Sequence, residues 1–455
     1  MRERIPTALT IAGSDSGGCA GIVADIKTFA ALGVHGMVAI TAITAQNTYS
    51  IEAILDVPAD IVVKQIEVVV EDMGVDAAKT GMLSNAEIVH AVAKVIEQYN
   101  IPLVVDPVIE SKSGVKLLKP NGIKTLKKEL LPIATLVTPN KMEAELLTGI
   151  KIRDLNDARK AAKYIVEELG AKAALVKGGH IAGDYAIDVL YCNGNFREYR
   201  ALRLKEGYTH GAGCSFSAAI TAELAKGKAL DDAIKVAKEF ITKAIAYGYE
   251  IGMGFNPVNP IAWLEIPAQK YLVIHNLERA IKLIEDNGKV FARFIPEVQT
   301  NIVMALPKPY ARGICDVAGV LGRIVRVGDT VKAAGPIAFG ASSHVARAVL
   351  KIMEYDKNIR AAMNLRYDER LLEAAKREGL IVSYYDRREE PPEIKKKEGA
   401  TIPWGIEQAV KRAGTTPDII YHLGDWGKEP MITIFGKDAV EVVKKALKLI
   451  SAIEA

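Results

Sequence analysis

The sequence predicts an α/β protein in two parts: a doubly wound, mostly parallel sheet over residues 1–262, a linker over 263–271, and a second, smaller α/β domain over 272–455. Three observations carry this reading. Short runs rich in β-branched residues alternate with helix-length amphipathic stretches through residues 5–260, the rhythm of repeated βα units. Several of those runs are apolar throughout rather than alternating, as expected of parallel strands covered by helices on both faces. The alternation is then broken by GMGFNPVNP at 252–260 and by Pro267, helix breakers at a density that marks a domain boundary.

In chain order, strands are expected at 8–12, 37–43, 103–106, 135–138 and 173–176, and helices at 20–32, 59–72, 86–99, 154–169 and 229–249. Runs 187–191 and 197–201 flank Cys192-Asn193-Gly194-Asn195 and read as a hairpin. Past the boundary the rhythm changes. A helix over 276–287 and strands over 290–294 and 302–306 lead to a glycine-rich stretch, then to helices over 342–355, 368–378, 405–412 and 437–450. No internal repeat links the halves.

Composition excludes several classes of function. With 49% hydrophobic and 25% charged residues, the chain has an ordinary globular balance, and a formal charge of +4 is too small to suggest a nucleic-acid partner. The one dense basic run, Lys395-Lys396-Lys397, follows Glu389, Glu390, Pro391, Pro392 and Glu393 and reads as a solvated loop. No apolar run approaches the roughly 18–20 residues of a bilayer span, and no signal-peptide core is evident, so a cytoplasmic chain with no membrane partner is expected. Cys19, Cys192, Cys214 and Cys315 lie far apart without a CxxC pair, which argues against a disulfide framework or a structural zinc site.

The most informative segment is Thr209-His210-Gly211-Ala212-Gly213-Cys214-Ser215-Phe216, which opens a helix. Small residues there let backbone N–H groups approach an anion, and the helix dipole adds partial positive charge, as phosphoryl transfer requires. A loop that merely turns the chain fits GAG alone equally well. Other segments change the balance, because each falls where a strand ends: Gly13-Ser14-Asp15-Ser16-Gly17-Gly18, Lys79-Thr80-Gly81-Met82, Asp106-Pro107-Val108, Asn140-Lys141-Met142-Glu143 and Lys177-Gly178-Gly179. Doubly wound sheets bind ligands outside the carboxyl ends of their strands.

Together, in this order, these segments resemble hydroxymethylpyrimidine/phosphomethylpyrimidine kinases of the ribokinase superfamily, over essentially residues 5–260. The resemblance implies a ribokinase-like fold, ATP and Mg²⁺ as cofactors, and a pyrimidine pocket lined by Gly13, Asp25, Gln46, Met82 and Val108. Gln46 offers an amide donor and acceptor to an aminopyrimidine edge, and Asp25 can accept from the substrate hydroxyl or amine. Met82 and Val108 supply apolar walls, or belong simply to the core. Lys177 is implied at the ATP phosphates, Gly211, Ala212 and Gly213 at the anion hole with Thr209 nearby, and Asn140 and Glu143 at magnesium through water. Asp106 assists the metal or serves as a cap. Cys214 stands where sugar kinases of this superfamily carry an aspartate base. A depressed pKa at a helix N-terminus would give a thiolate able to take the substrate's proton, whereas the alternative is a small packing residue. Val23 and Cys19 depart from the family pattern beside the first glycine-rich turn.

In the second domain, Ser342 or Ser343 is expected to cap a helix and place His344 in its first turn, with Arg323 upstream and Arg347 and Lys428 downstream. That set suits a diphosphate clamp, and a structural histidine suits it as well. The segment over 272–452 resembles the archaeal type of thiamine-phosphate synthase, on Asp316-Val317-Ala318-Gly319, Arg323 and Phe339-Gly340-Ala341-Ser342-Ser343-His344-Val345-Ala346-Arg347. The resemblance implies coupling of hydroxymethylpyrimidine diphosphate to thiazole phosphate, with Arg323 and His344 at the leaving diphosphate. Small-molecule substrates and a homo-oligomer are expected. The alternatives are a pyridoxal-type kinase and a second domain that only senses thiamine phosphate.

Overall fold

The computed structural model describes residues 4–180, 183–204 and 208–454. The chain divides into two compact units, Met1–Leu264 and Glu265–Ala455.

In the first unit β1 (Thr7–Asp15) leads through a glycine-rich turn into α1 (Gly21–Ala31), followed by β2 (His35–Gln46), β3 (Ile51–Asp56), α2 (Ala59–Asp72) and β4 (Ala77–Thr80). Next come α3 (Ala86–Tyr99), β5 (Leu103–Val105), α4 (Pro120–Thr125), β6 (Leu136–Val137), α5 (Lys141–Thr148), α6 (Leu155–Glu167) and β7 (Ala173–Val176). The expected hairpin, β8 (Tyr185–Cys192) and β9 (Asn195–Leu202), precedes α7 (Ala212–Ala225) and α8 (Leu230–Ala246).

All nine strands share one sheet in the order β3-β2-β1-β4-β5-β6-β7-β8-β9. Pairing is parallel from β2 to β7, with antiparallel strands added at both edges. The apolar strand runs follow from two cores. Leu9 and Ile11 pack with Ile66, Val92 and Ile165 on one face, while Ala8 packs with Phe29, Ile220 and Phe240 on the other. Strand order reverses between β1 and β4, so the crevice beyond their C-terminal ends is where such sheets take ligands.

In the second unit α9 (Ala262–Asp286) is followed by α10 (Gly288–Phe291), β10 (Ile302–Ala305), β11 (Val317–Val320), a small hairpin of β12 (Ile324–Val327) and β13 (Thr330–Ala333), and β14 (Ile337–Phe339). After them come α11 (His344–Ile352), β15 (Ala361–Arg366), α12 (Glu369–Arg377), β16 (Val382–Tyr384), α13 (Pro392–Lys396), α14 (Thr401–Ala413), β17 (Ile419–His422), β18 (Met431–Gly436) and α15 (Ala439–Glu454). Seven strands form a mixed sheet ordered β14-β11-β10-β15-β18-β17-β16, antiparallel except between β16 and β17.

Residues 263–271, expected as a linker, are helical, lying within α9 with Pro267 inside, and the two units divide among them. One expectation gives way here. Residues 290–294 are not a strand: they belong to α10 and a 3₁₀ turn, Ala292–Phe294. Phe291 and Phe294, three residues apart, both turn into the core, which a helical turn allows and a strand does not. Among the described residues no helix is long and apolar enough to cross a membrane, and all four cysteines are free.

Candidate active sites

The start of α7 organises the first site. Its N-cap, Gly211, holds φ at +76°, and a Cβ there would lie 1.9 Å from the Cys19 carbonyl oxygen, so only glycine fits. No side chain caps the helix; Ala212 N donates to Thr209 O at 3.2 Å, which leaves the first-turn N–H groups of Gly213 and Cys214 for an anion. A Cβ on Gly213 would stand 3.3 Å from Lys177 Nζ and 3.8 Å from Asp106 Oδ2, so both charges sit against that helix start. Lys177 donates to Asp106 Oδ1 at 2.9 Å, and the hydroxyls of Ser217 and Thr138 donate to the same carboxylate at 3.3 and 3.4 Å. Burial disfavours the Lys177 charge, but Asp106 and Glu143 outweigh it and hold its pKa above the ordinary lysine value. Thr209 is exposed at the rim, where Lys112 donates to its hydroxyl.

Asn140 and Glu143 form a capping box on α5. The Asn140 side chain accepts from Glu143 N at 2.9 Å, and Glu143 Oε2 accepts from Asn140 N at 2.7 Å. Burial pushes the Glu143 carboxyl up to about 7, opposed by Lys177 and reinforced by the charge of Asp106. Two carboxylates thus face each other across one lysine. Hard oxygen donors carrying excess negative charge fit a magnesium ion that keeps its water, with Asp106 and Glu143 as the groups to hold it and Asn140 confined to the cap.

On the substrate side, Gly13 and Met82 meet: a Cβ on Gly13 would lie 3.0 Å from Met82 Sδ. Gln46 is half-buried at the end of β2, tied to the first turn by its backbone N–H to Ser16 Oγ at 2.8 Å. Val108, also half-buried, follows Asp106 past the end of β5. Asp25 is fully buried: its Oδ2 accepts from Lys79 Nζ at 2.9 Å and from Thr10 Oγ1 at 2.6 Å, while its Oδ1 has no hydrogen-bond partner among the described residues. Lys79, in the buried run Ala77–Thr80, is the residue that sequence reasoning passed over. A lysine inside a strand covered on both faces must be paired, and that was the available signal. Burial opposes its charge, but the fields of Asp25, Cys214 and Asp106 raise its pKa.

Cys214 also departs from expectation. Burial pushes its thiol up to about 12, and Asp25 and Asp106 add to this, against Lys79 and the N–H of Gly21, which lower it. One helix terminus and one lysine do not offset desolvation beside two carboxylates. The resting group is the thiol, not the thiolate.

The second unit holds a cavity of about 650 Å³ lined by Arg323, His344, Arg347, Arg387, Lys428 and Asn301, among others. Arg323 holds φ at +71°, as does Gln299 in the same wall at +66°, a strained backbone of the kind that clusters at binding sites. Arg323 donates to the carbonyl of Val298. Asn364 Oδ1 accepts from Asn301 N at 2.7 Å and its Nδ2 donates to Gln299 O at 3.1 Å, fixing that wall. Ser343 is the N-cap of α11 but makes no side-chain capping bond; its hydroxyl lies 3.2 Å from His344 Nδ1 instead. Burial lowers the His344 pKa, and Arg347, Arg323, Lys428 and Arg387 lower it further, which favours the neutral imidazole. Lys395, Lys396 and Lys397 are exposed, as expected of a solvated run, but Lys395 belongs to α13 and also borders the cavity. Arg387, Asn301 and Asn364 carried no motif and were not singled out from the sequence.

A doubly wound sheet that presents a helix start, a lysine and a carboxylate past its strand ends defines a small-molecule kinase of the ribokinase type. The phosphomethylpyrimidine kinase family matches residues 15–259, and the family described as thiamine-phosphate synthase ThiN matches residues 276–448. The hydroxymethylpyrimidine/phosphomethylpyrimidine kinase of Streptomyces coelicolor is 46% identical over 254 residues, 56% of this chain and 94% of its own. The bifunctional thiamine biosynthesis protein ThiDN of Methanocaldococcus jannaschii is 34% identical over 443 residues, 96% of each chain. Among solved structures, an ADP complex of Bacillus subtilis pyridoxal kinase superposes with a TM-score of 0.54 at 39% identity, covering 57% of this chain and 98% of that one. The chain therefore belongs to the phosphomethylpyrimidine kinase family and, over nearly its whole length, to the bifunctional thiamine-biosynthesis proteins that fuse this kinase to a thiamine-phosphate synthase domain.

Proposed function

We propose that the first unit transfers the γ-phosphoryl group of ATP to 4-amino-5-hydroxymethyl-2-methylpyrimidine and then to its monophosphate. The second unit joins the resulting diphosphate to thiazole phosphate, giving thiamine phosphate and releasing pyrophosphate. The observation that carries the kinase half is the convergence of Lys177, Asp106 and the open amides of Gly213 at the start of α7. Those amides and Lys177 stabilise charge on the transferring phosphoryl oxygens. Magnesium, when bound, neutralises phosphate charge, and Asp106 and Glu143 are the residues to hold it.

Gly13, Met82, Gln46 and Val108 orient the pyrimidine, and Lys79 keeps a fixed positive charge beneath Cys214. As a thiol, Cys214 positions the acceptor hydroxyl. A base role requires bound ligands to lower its pKa in the direction Lys79 already pulls it. In the second unit, Arg323 and the neighbouring cations hold the leaving diphosphate. His344 donates to it once the bound anion restores its proton.

One coupled assay tests both halves: the pyrimidine, ATP, Mg²⁺ and thiazole phosphate are supplied, and thiamine phosphate is measured. Kinase turnover without thiamine phosphate would reassign the second unit as a sensor. The likeness to pyridoxal kinase favours a second reading for the first unit, and a substrate panel in which pyridoxal is preferred would replace the pyrimidine.

A further inference from the structure

We propose that Asp15, Cys19 and His210 form a zinc site in the first unit, distinct from the Asp106–Glu143 pair assigned to magnesium. Their ligand atoms all lie within 4.8 Å of one another, and all three residues are buried. No spacing rule reveals the set, because the third ligand comes from the opposite end of the unit's sequence.

The turn after β1 builds two of the ligands. Asp15 Oδ1 accepts from Gly17 N at 2.8 Å, and its Oδ2 accepts from Cys19 N and Ala20 N at 2.9 and 2.8 Å. The turn therefore winds around the carboxylate and carries the Cys19 thiol to it. A carboxylate has about four lone-pair sites, so roughly one remains for a cation. The third ligand is held by a separate segment: His210 N donates to Asn256 O at 3.1 Å, and its carbonyl accepts from Val258 N at 3.1 Å.

The imidazole supplies the independent evidence. His210 is only 7% exposed, and its Nε2 has no hydrogen-bond partner. Asp15 Oδ2 is 3.7 Å away, too far for a hydrogen bond. The ligand atoms of a tetrahedral zinc stand roughly 3.3–3.8 Å apart when metal–ligand bonds are about 2.0–2.3 Å, so a set lying within 4.8 Å needs to close by only about 1 Å, with the free lone-pair site on Asp15 Oδ1. A thiol, an imidazole and a carboxylate are a zinc set, whereas magnesium takes oxygen alone. A cavity of about 90 Å³ is bordered by Cys19, Gly17, Lys27 and Pro257, so open space reaches the cysteine of the set. Binding displaces the Cys19 thiol proton to solvent. The ion would tie the end of β1 to the loop leading into α7, holding the pyrimidine-side turn and the anion-hole amides in register.

The test uses the full chain, stripped with chelator and titrated with Zn²⁺ and then with Co²⁺. One equivalent should bind at this site with a thiolate-to-cobalt charge-transfer band, and zinc at about a hundredfold over Kd should raise the kinase unit's melting temperature by roughly 5–10 °C. Cys19→Ser should abolish the band and weaken binding by more than the roughly 10–100-fold that an outer partner is worth, while Cys214→Ala and Cys315→Ser keep both. Should Cys19→Ser not fold, His210→Gln takes its place, and the spectrum of the unaltered protein already decides. No sulfur-to-cobalt band, or a band that survives Cys19→Ser, overturns the proposal and leaves a plain Asp15–His210 contact.

Discussion

The two units treat charge in opposite ways. In the first, three lysines each pair directly with an aspartate, Lys79 with Asp25, Lys177 with Asp106 and Lys238 with Asp188, each at 2.7–2.9 Å, and Lys177 faces Glu143 as well. In the second, Arg323, Arg347, Arg387 and Lys428 converge on one cavity strongly enough to lower the pKa of His344. On the proposed reactions the contrast has a reason. A nucleotide brings its own counter-ion, so the kinase site needs directional groups more than net charge. The synthase cavity receives two phosphorylated substrates and releases pyrophosphate, so it gains from surplus positive charge.

The largest expected effect lies in the matched unit. Cys214→Ala should lower kinase turnover by about 10²–10⁴-fold while leaving thiamine phosphate formation from supplied diphosphate unchanged. Turnover within a factor of a few of the parent would remove Cys214 from the chemistry.

Next, the pairing itself can be broken. Lys79→Met strands Asp25 in the core and should cost about 3–5 kcal/mol in denaturant unfolding, with much of this recovered in Lys79→Met/Asp25→Leu. Arg347→Met in the surplus cavity should cost less than about 1 kcal/mol. Equal losses at the two positions would erase the distinction between the units.

Arg323→Gln should reduce synthase turnover by about 10²–10³-fold, the loss expected when one preorganised group leaves a developing charge, and should spare the kinase. A parallel fall in both activities would instead indicate damage to the fold.

The remaining effect is on stability against pH. Burial lowers the His422 pKa from 6.5 to about 4, with Arg387 adding to it. The unfolded chain therefore binds the extra proton between those values. The contribution of about 3 kcal/mol is whole above pH ~6.5 and is lost as pH falls toward 4. His422→Gln should flatten that part of the profile, and an unchanged slope would move the titration to another group.

Much of the fold was legible because its signals are local. Apolar runs such as 173–176, the Asn193-Gly194 turn and the glycines at 211 and 213 speak through backbone sterics and side-chain periodicity. What misled were places where a local pattern met a distant partner. β4 was given an end near Lys79-Thr80-Gly81 but no span, because Lys79 interrupts its apolar run, and Asp25, reached from α1, makes that lysine tolerable. Residues 290–294 looked like a strand until the inward turn of both Phe291 and Phe294 showed a helical period. Asn301, Asn364 and Arg387 had no motif, because a cavity wall assembled from separate strands and loops leaves no spacing to read.

By itself the sequence determined the two-part α/β architecture, the anion-binding helix start and the resemblance that names both chemistries. These depend on short-range rules that operate within a few residues. Tertiary structure alone decided the protonation of Cys214, the partner of Asp25, the capping duty of Asn140 and the meeting of Asp15, Cys19 and His210. The reason is physical: desolvation and Coulomb interaction depend on distances through the folded protein, and those distances exist only after remote segments have packed together.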